Sequence, residues 1–408
     1  MSVKLSYFFT SALALALAAP SLLAAAPQER SAPASIVTVP VRVVEGGRFV
    51  SGLTLSDFEI LEDGVPQKIQ ALYRIDKNAI AAREGEEVGR PATARHFYLL
   101  FQMYDYDAKI APALTYFFKE VLLPGDTLEV QTPAGSYTLT PQALAQKPRD
   151  LLAKETNELV RRDINKSNFV YKSLLRDLRR IVQGIQGYNP VAGEDSEGGM
   201  VSSFSLEQVM DQYRDTLGKL ENQQSLDPAK IAGFAQALKK QPGRKFLILL
   251  YQEEYRPEIN TTTLNRLIDS YQDNQSVLAD IHELFQVYHR NISIDVEKIV
   301  QAYCDSGAGV DFLFMRRTPD KLGGVNMREQ SEDIFRLFTR VAEATGGIAQ
   351  TTQNPLTEIK EAVKSFESYY LVVYAPAASP PQGSFRPISV LVKGGPYKVY
   401  FRHGYLAD

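Results

Sequence analysis

Residues 96–107 read HFYLLFQMYDYD and residues 244–255 read RKFLILLYQEEY, and these two stretches decide the fold. Each is an unbroken apolar run of strand length that stops abruptly at polar and acidic residues. A strand that is apolar on both sides is buried on both faces, as in a parallel sheet covered by helices. Outward from the first run, AKIAPALTYFFKEVLL (108–123) sets Ile110, Leu114, Phe117, Phe118 and Val121 on one helical face, and Pro124-Gly125 stops it. DTLEVQTPAGSYTLTP (126–141) then reads as strand, turn and strand. Beyond the second run, TTLNRLIDSYQDNQSVLADIHELFQVYHRN (262–291) reads as one long helical stretch. ISIDVEKIVQAYCDSGAGVDFLFM (292–315) and EDIFRLFTRVAEATGGIAQTT (332–352) each read as helix, glycine stop and strand. This alternation predicts an α/β fold with a largely parallel sheet.

Between the two runs, residues 141–241 are helical text. Leu151, Leu152, Leu159, Leu174, Leu175, Leu178, Ile181, Val182 and Ile185 recur at helical spacing. A Gly-rich loop (187–203) follows, then Ser205 with Gln208 as a capping box, and Asp227-Pro228 as a further helix start. Packed helices projecting from the sheet are expected here, with SYTLT and KFLILLY near neighbours in it.

Both chain ends are β-rich. Val37, Val39, Val41 and Val43 alternate with Thr38, Pro40 and Arg42, and Asp63-Gly64 marks a hairpin. ESYYLVVYAP, SFRPISVLVK and YKVYFRHGYL supply three strands at the other end. Neither end can bury two faces alone, so the two are expected to pair in one sandwich. Residues 77–94 are polar and read as a linker.

Composition narrows the function. With 44% hydrophobic and 23% charged residues the chain is neither disordered nor a polytopic membrane protein. Net charge −3 argues against a nucleic-acid binder. One cysteine, Cys304, excludes an intramolecular disulfide framework and reads as a small core residue. Lys4, the apolar stretch to Pro20 and the triplet Ala24-Ala25-Ala26 read as a secretory signal peptide cut near Ala26. The mature chain is therefore expected outside the cytoplasm, with no membrane span.

The two ends carry a resemblance. VTVPVRVVEGGRFVSGLTLSDFEILEDGVPQKI (37–69), VAEATGGIAQTTQNPLTEIKEAVKSFESYYLVVYAP (341–376) and FRPISVLVKGGPYKVYFRHGY (385–405) resemble, in order and spacing, the VWFA-related secreted proteins typical of acidobacteria. The resemblance covers about 36–140 and 241–406. It implies a Rossmann-like sheet of the von Willebrand factor type A (VWA) kind and non-enzymatic binding. The implied layout is a signal peptide 1–26, a split β-sandwich-like domain from 36–76 plus 366–408, and a VWA-like domain 93–365 with a helical insertion 141–241.

A VWA domain holds a divalent cation at the carboxyl edge of its sheet, using an Asp-x-Ser-x-Ser run and a later Asp. On this resemblance Gln102, Tyr104 and Tyr106 stand at the first three positions and Gln252 at the later one. Amides and phenols are poor substitutes for anionic oxygen ligands, so the usual cation site is expected to be degenerate. Asp105, Asp107, Glu253 and Glu254 fall nearby and offer either a shifted cation site or a surface for a basic partner; solvated loop carboxylates are the plainer reading.

Other chemistry finds little support. No G-x-S-x-G nucleophile turn occurs. His282 and His289 are seven apart rather than four, and His96 and His403 lie beside or within strands. The Gly-Gly pairs lack a phosphate-loop pattern and read as turns or helix stops. Arg161, Arg162, Lys166, Lys172, Arg176, Arg179 and Arg180 make the helical segment locally basic, although Asp163 and Asp177 dilute it. That face reads as solvated, with a polyanion or membrane surface as the alternative. Asn260-Thr261-Thr262 and Asn291-Ile292-Ser293 match a glycosylation sequon that matters only in a eukaryotic secretory pathway. The expected function is a secreted or periplasmic, non-enzymatic protein-binding or scaffold protein without cofactor. Its partner is expected to be another protein, bound at the sheet edge or the helical insertion. A metal-dependent adhesion module and, more weakly, an extracytoplasmic hydrolase are the alternatives.

Overall fold

The two apolar runs lie side by side in parallel, Phe246 opposite Phe97 and Tyr251 opposite Gln102. They are the centre of a mixed six-stranded sheet in a computed structural model that describes residues 36–86, 88–89, 91–187, 202–224, 227–273, 275–286, 294–323, 325–377 and 381–407. The expected leader and its cleavage point, His289, the Asn291 sequon and the Gly-rich stretch 188–201 lie outside the described residues.

Across the sheet the strands run Ala349–Thr352, Ala308–Met315, Arg244–Gln252, Arg95–Gln102, Thr127–Thr132 and Gly135–Leu139. All neighbours are parallel except the last pair, which is an antiparallel hairpin. Chain order reverses between Arg95–Gln102 and Arg244–Gln252, so the carboxyl ends of these two strands flank the crevice where doubly wound sheets place ligands. SYTLT and KFLILLY are not neighbours as expected: two strands stand between them. The apolar Arg95–Gln102 strand takes the position beside KFLILLY because it can be buried on both faces, whereas Gly135–Leu139 has exposed positions and suits the edge.

Helices cover both faces. One face buries Phe97, Leu99 and Phe101 against Ile110–Tyr116, Pro355–Glu367 and the first half of the 39-residue helix Arg149–Gly187. The other buries Leu247, Leu249, Val310 and Phe312 against Pro228–Lys239, Val296–Ser306 and Glu332–Ala344. The helical segment 141–241 is thus divided. Its start and its last helix are layers of the sheet, while Tyr171, Leu175, Leu178 and Val182 pack on Met210, Tyr213 and Leu217 of Ser202–Gln224 in a second core completed by Ile259, Leu267, Ile281 and Val325. The helix expected to start at Ser205 already begins at Ser202. Asp227 does cap the next helix, accepting from Ala229 N–H at 2.9 Å. The described part of the stretch 262–291 is two helices, Thr261–Ser270 and Gln275–Gln286, with a turn after the first.

The chain ends share sheets. Val37–Glu45 pairs antiparallel with Ser368–Tyr374, which pairs in turn with Ile69–Asp76. Phe385–Val392 pairs with Phe58–Glu62 in a second, four-stranded sheet. Val39, Val41, Val43, Ile60, Val372 and Val390 fill the space between the two sheets. Burial of such a side chain contributes about 1.5–3 kcal/mol. Alternate residues of Ser368–Tyr374 serve two cores: Tyr370, Val372 and Tyr374 face the second sheet, while Tyr369, Leu371 and Val373 face the helices of the parallel sheet. That double duty explains why SYYLVVY is apolar throughout.

The 77–94 segment is not all linker. Ala79–Gly85 is a strand paired with Ile69–Asp76 at the sheet edge. Nearly all its side chains are exposed, so the ladder holds it while its sequence carries no apolar alternation.

Candidate functional site

The quoted motifs at the two chain ends meet at one buried carboxylate, Glu62, which is fully sequestered from solvent. Oε1 accepts from Arg386 Nε at 2.9 Å and Nη2 at 2.6 Å; Oε2 accepts from Tyr374 at 2.5 Å and Tyr405 at 3.1 Å. Burial and then Glu62 raise the Tyr374 hydroxyl well above its usual pKa and push Tyr405 up to about 12. Asp63 and Gly64, at φ +51° and +77°, turn the hairpin beside it. Thr345-Gly346-Gly347 is structural too: Thr345 Oγ1 accepts from Val310 N–H at 3.1 Å, and a Cβ on Gly347 would lie 1.9 Å from the Val310 carbonyl oxygen.

At the carboxyl edge, the loop after Arg95–Gln102 is clamped by Gln252. This amide is 4% exposed; its Oε1 accepts from Tyr104 and Asp105 N–H at 2.9 and 2.8 Å, and its Nε2 donates to the Asp105 carbonyl at 3.2 Å. Gln102 is exposed at the strand end. Tyr104 donates to Glu254 Oε1 at 2.9 Å, and Tyr106 donates to Asn157 Oδ1 at 2.7 Å. Both phenols therefore tie this loop to other elements.

The centre of the edge is Arg317, whose side chain is 4% exposed. Its guanidinium lies 5.3–5.5 Å from the ring centroids of Tyr104, Tyr171 and Tyr255. Nη1 donates to Asp105 Oδ2 at 2.9 Å, Nη2 to the Tyr171 hydroxyl at 3.1 Å and Nε to the Glu253 carbonyl at 2.9 Å. Asp320 lies 3.5 Å from Nη1, and Lys172 bridges Asp320 and Asp105, the latter at 3.6 Å. Burial alone would lower the Arg317 pKa, but Tyr171, Asp105 and Asp320 outweigh it and hold the guanidinium above its usual value. Burial and then Glu253 push Tyr255 up to about 12.

The four acids do not share one point. Asp105 and Glu253 both serve Arg317, with Glu253 Oε2 accepting the Arg317 N–H at 3.2 Å. Glu254 is 2% exposed and accepts from Tyr104 and Tyr251. Asp107 Oδ1 accepts from Lys109 N–H at 2.8 Å at a helix start. Among the described residues no three His, Cys, Asp or Glu side chains group as a metal site. Sequence reasoning missed Arg317, Tyr171, Tyr255 and Asp320. The signal available was Arg316-Arg317 directly after a strand buried along its whole length, at the same sheet edge.

The remaining candidates are structural. His96 Nδ1 is 2.7 Å from Thr127 Oγ1, His282 Nδ1 is 3.0 Å from the Leu278 carbonyl, and His403 lies against Phe401. Burial pushes the Cys304 thiol up to about 12. Asn260 Oδ1 accepts from Thr263 N–H at 2.8 Å and caps a helix.

No protein-family model matches the sequence, and no curated protein matches it. A similar solved structure is that of the human COPII-coat protein Sec24c, at 7% identity and a TM-score of 0.30, covering 77% of this chain. The match spans 43% of that chain.

Proposed function

We propose that this chain is a secreted or periplasmic, non-enzymatic protein-binding or scaffold protein whose VWA-type sheet edge is closed by an internal arginine instead of a divalent cation. The observation that carries the reading is Arg317, set among three tyrosine rings and bonded to Asp105 at the switch point of the sheet. Asp105 and Asp320 are balanced by Arg317 and Lys172. A divalent ion would have to displace Arg317, which already holds Asp105 and Asp320 and donates its backbone N–H to Glu253. Gln252, buried and saturated by two backbone donors, offers it no anionic oxygen. Partner binding at this edge is therefore independent of divalent cations, and the half-buried Tyr104, Asp105 and Tyr106 form the loop that would meet the partner.

The test is capture of partners from an envelope extract by the immobilised protein, in EDTA and in millimolar Mg²⁺, Mn²⁺ or Ca²⁺. The same partner set is expected in both conditions. Capture that needs the cation, and that Asp105→Ala or Asp107→Ala abolishes, would replace this reading with the metal-dependent adhesion module.

A further inference from the structure

The outer face of the Arg149–Gly187 helix exposes Phe169 at 68% and Val170 at 46% of their surfaces. At about 100° per residue, Arg162, Lys166, Arg176 and Arg180 fall within about 60° of Phe169 around the helix axis. All four are exposed. Arg161 and Arg179, also exposed, extend the basic band on one side. The guanidinium of Arg176 lies 5.9 Å from the Phe169 ring centroid.

Acids offset part of this charge: exposed Glu158 lies about 20° from Phe169 on the same face. Two of the four cations are ion-paired, which leaves Lys166 and Arg176 flanking the ring. Asp163 is buried, lies 3.1 Å from Arg162 and accepts from Thr132 and Tyr137. Asp177 lies 3.5 Å from Arg180. On the neighbouring helix Ser202–Gln224, Asp211 and Asp215 are paired with Arg214 and Lys219 of the same helix.

We infer that this face docks on an anionic lipid bilayer, with Phe169 and Val170 entering the interface and the surrounding cations meeting the headgroups. This face adjoins the sheet edge, since Lys172 of the same helix pairs with Asp105 and Asp320, but the inference does not rest on the function proposed above. A projecting aromatic ring within a basic ring of side chains suits a fluid interface, which needs no complementary pocket. An acidic protein would satisfy the cations but would leave the exposed ring without a matching cavity.

The chain contains no tryptophan, so Phe169→Trp introduces a single reporter at the centre of the face. With vesicles of phosphatidylcholine containing phosphatidylglycerol, its emission is expected to shift to the blue. Pure phosphatidylcholine should give little shift, and raised salt should reverse it. In co-sedimentation, replacing Lys166 or Arg176 by Ala should weaken binding about fivefold each. Phe169→Ser should weaken it about tenfold. Because these side chains are exposed, unchanged thermal unfolding of each variant shows that the fold is kept. Absence of a blue shift with anionic vesicles would overturn the inference. So would sedimentation unaffected by Phe169→Ser, or a shift produced by polyglutamate and not by vesicles.

Discussion

The carboxyl edge of the parallel sheet and the interior of the β-sandwich each bury one charge among tyrosines, with opposite signs. Arg317 is a cation held by three tyrosine rings, one tyrosine hydroxyl and Asp105. Glu62 is an anion held by two tyrosine hydroxyls and Arg386. The difference lies in what each arrangement closes. Glu62 is 0% exposed and joins residues far apart in sequence, so it secures the pairing of the chain ends. Asp105, the partner of Arg317, keeps 37% of its side chain exposed, so that cluster closes a surface. Paired burial of this kind costs most when one partner is removed, because the other charge is stranded.

Glu62→Ala should therefore have the largest effect, about 3–5 kcal/mol in denaturant unfolding, because two hydroxyls lose their acceptor and Arg386 keeps only Asp63. Glu62→Gln keeps an acceptor and should cost less. Equal losses in the two variants would show that packing, not the carboxylate, carries the site.

Asp311 sharpens the comparison because, among the described residues, it is buried with no ion pair, and Arg42 acts on it only at longer range. It accepts from Ile348 N–H at 2.8 Å, and burial pushes its pKa up to about 7 from 3.8. The folded state thus binds the proton more tightly than the unfolded chain. Asp311 costs nothing below about pH 4, and its ionisation removes stability as pH rises to about 7, with a ceiling of about 4 kcal/mol. Asp311→Asn keeps the acceptor and should flatten that decline. Unfolding curves of both proteins from pH 4 to pH 8 check it, and parallel pH profiles would contradict it.

Arg317→Met should cost about 2 kcal/mol, less than Glu62→Ala, because Lys172 remains beside Asp105 and Asp320 and water reaches Asp105. Arg317→Lys should rescue little, since an ammonium cannot reach Asp105, Tyr171 and the Glu253 carbonyl together. The smallest effect, about 1 kcal/mol, is expected for Tyr171→Phe, which removes one hydroxyl and keeps the ring over the guanidinium. Urea unfolding ranks these variants; a Tyr171→Phe loss as large as that of Arg317→Met would reverse the assigned roles.

The same contrast governs what the sequence revealed. The central strands were legible because burial on both faces leaves an unbroken apolar run, and the Asp63-Gly64 hairpin because its φ values suit those residues. The strand Ala79–Gly85 was hidden because an exposed edge needs no apolar alternation. Glu62 stood inside a quoted motif, although its partners at 374, 386 and 405 are visible only once the ends pair. Arg317 lay outside the quoted motifs, because those motifs are read through acids, whereas a buried arginine shows itself only through the acid it neutralises, here Asp105.

If Arg317 closes this edge in place of a divalent ion, as proposed, added cations should not stabilise the fold. The most direct measurement is the melting temperature of the purified protein in EDTA and in millimolar Mg²⁺, Mn²⁺ or Ca²⁺. An ion bound only to the folded state would add about 2.7 kcal/mol at a hundredfold excess over Kd. The same melting temperature is expected in all four conditions. An upward shift with a cation, abolished by Asp105→Ala or Asp107→Ala, would contradict it.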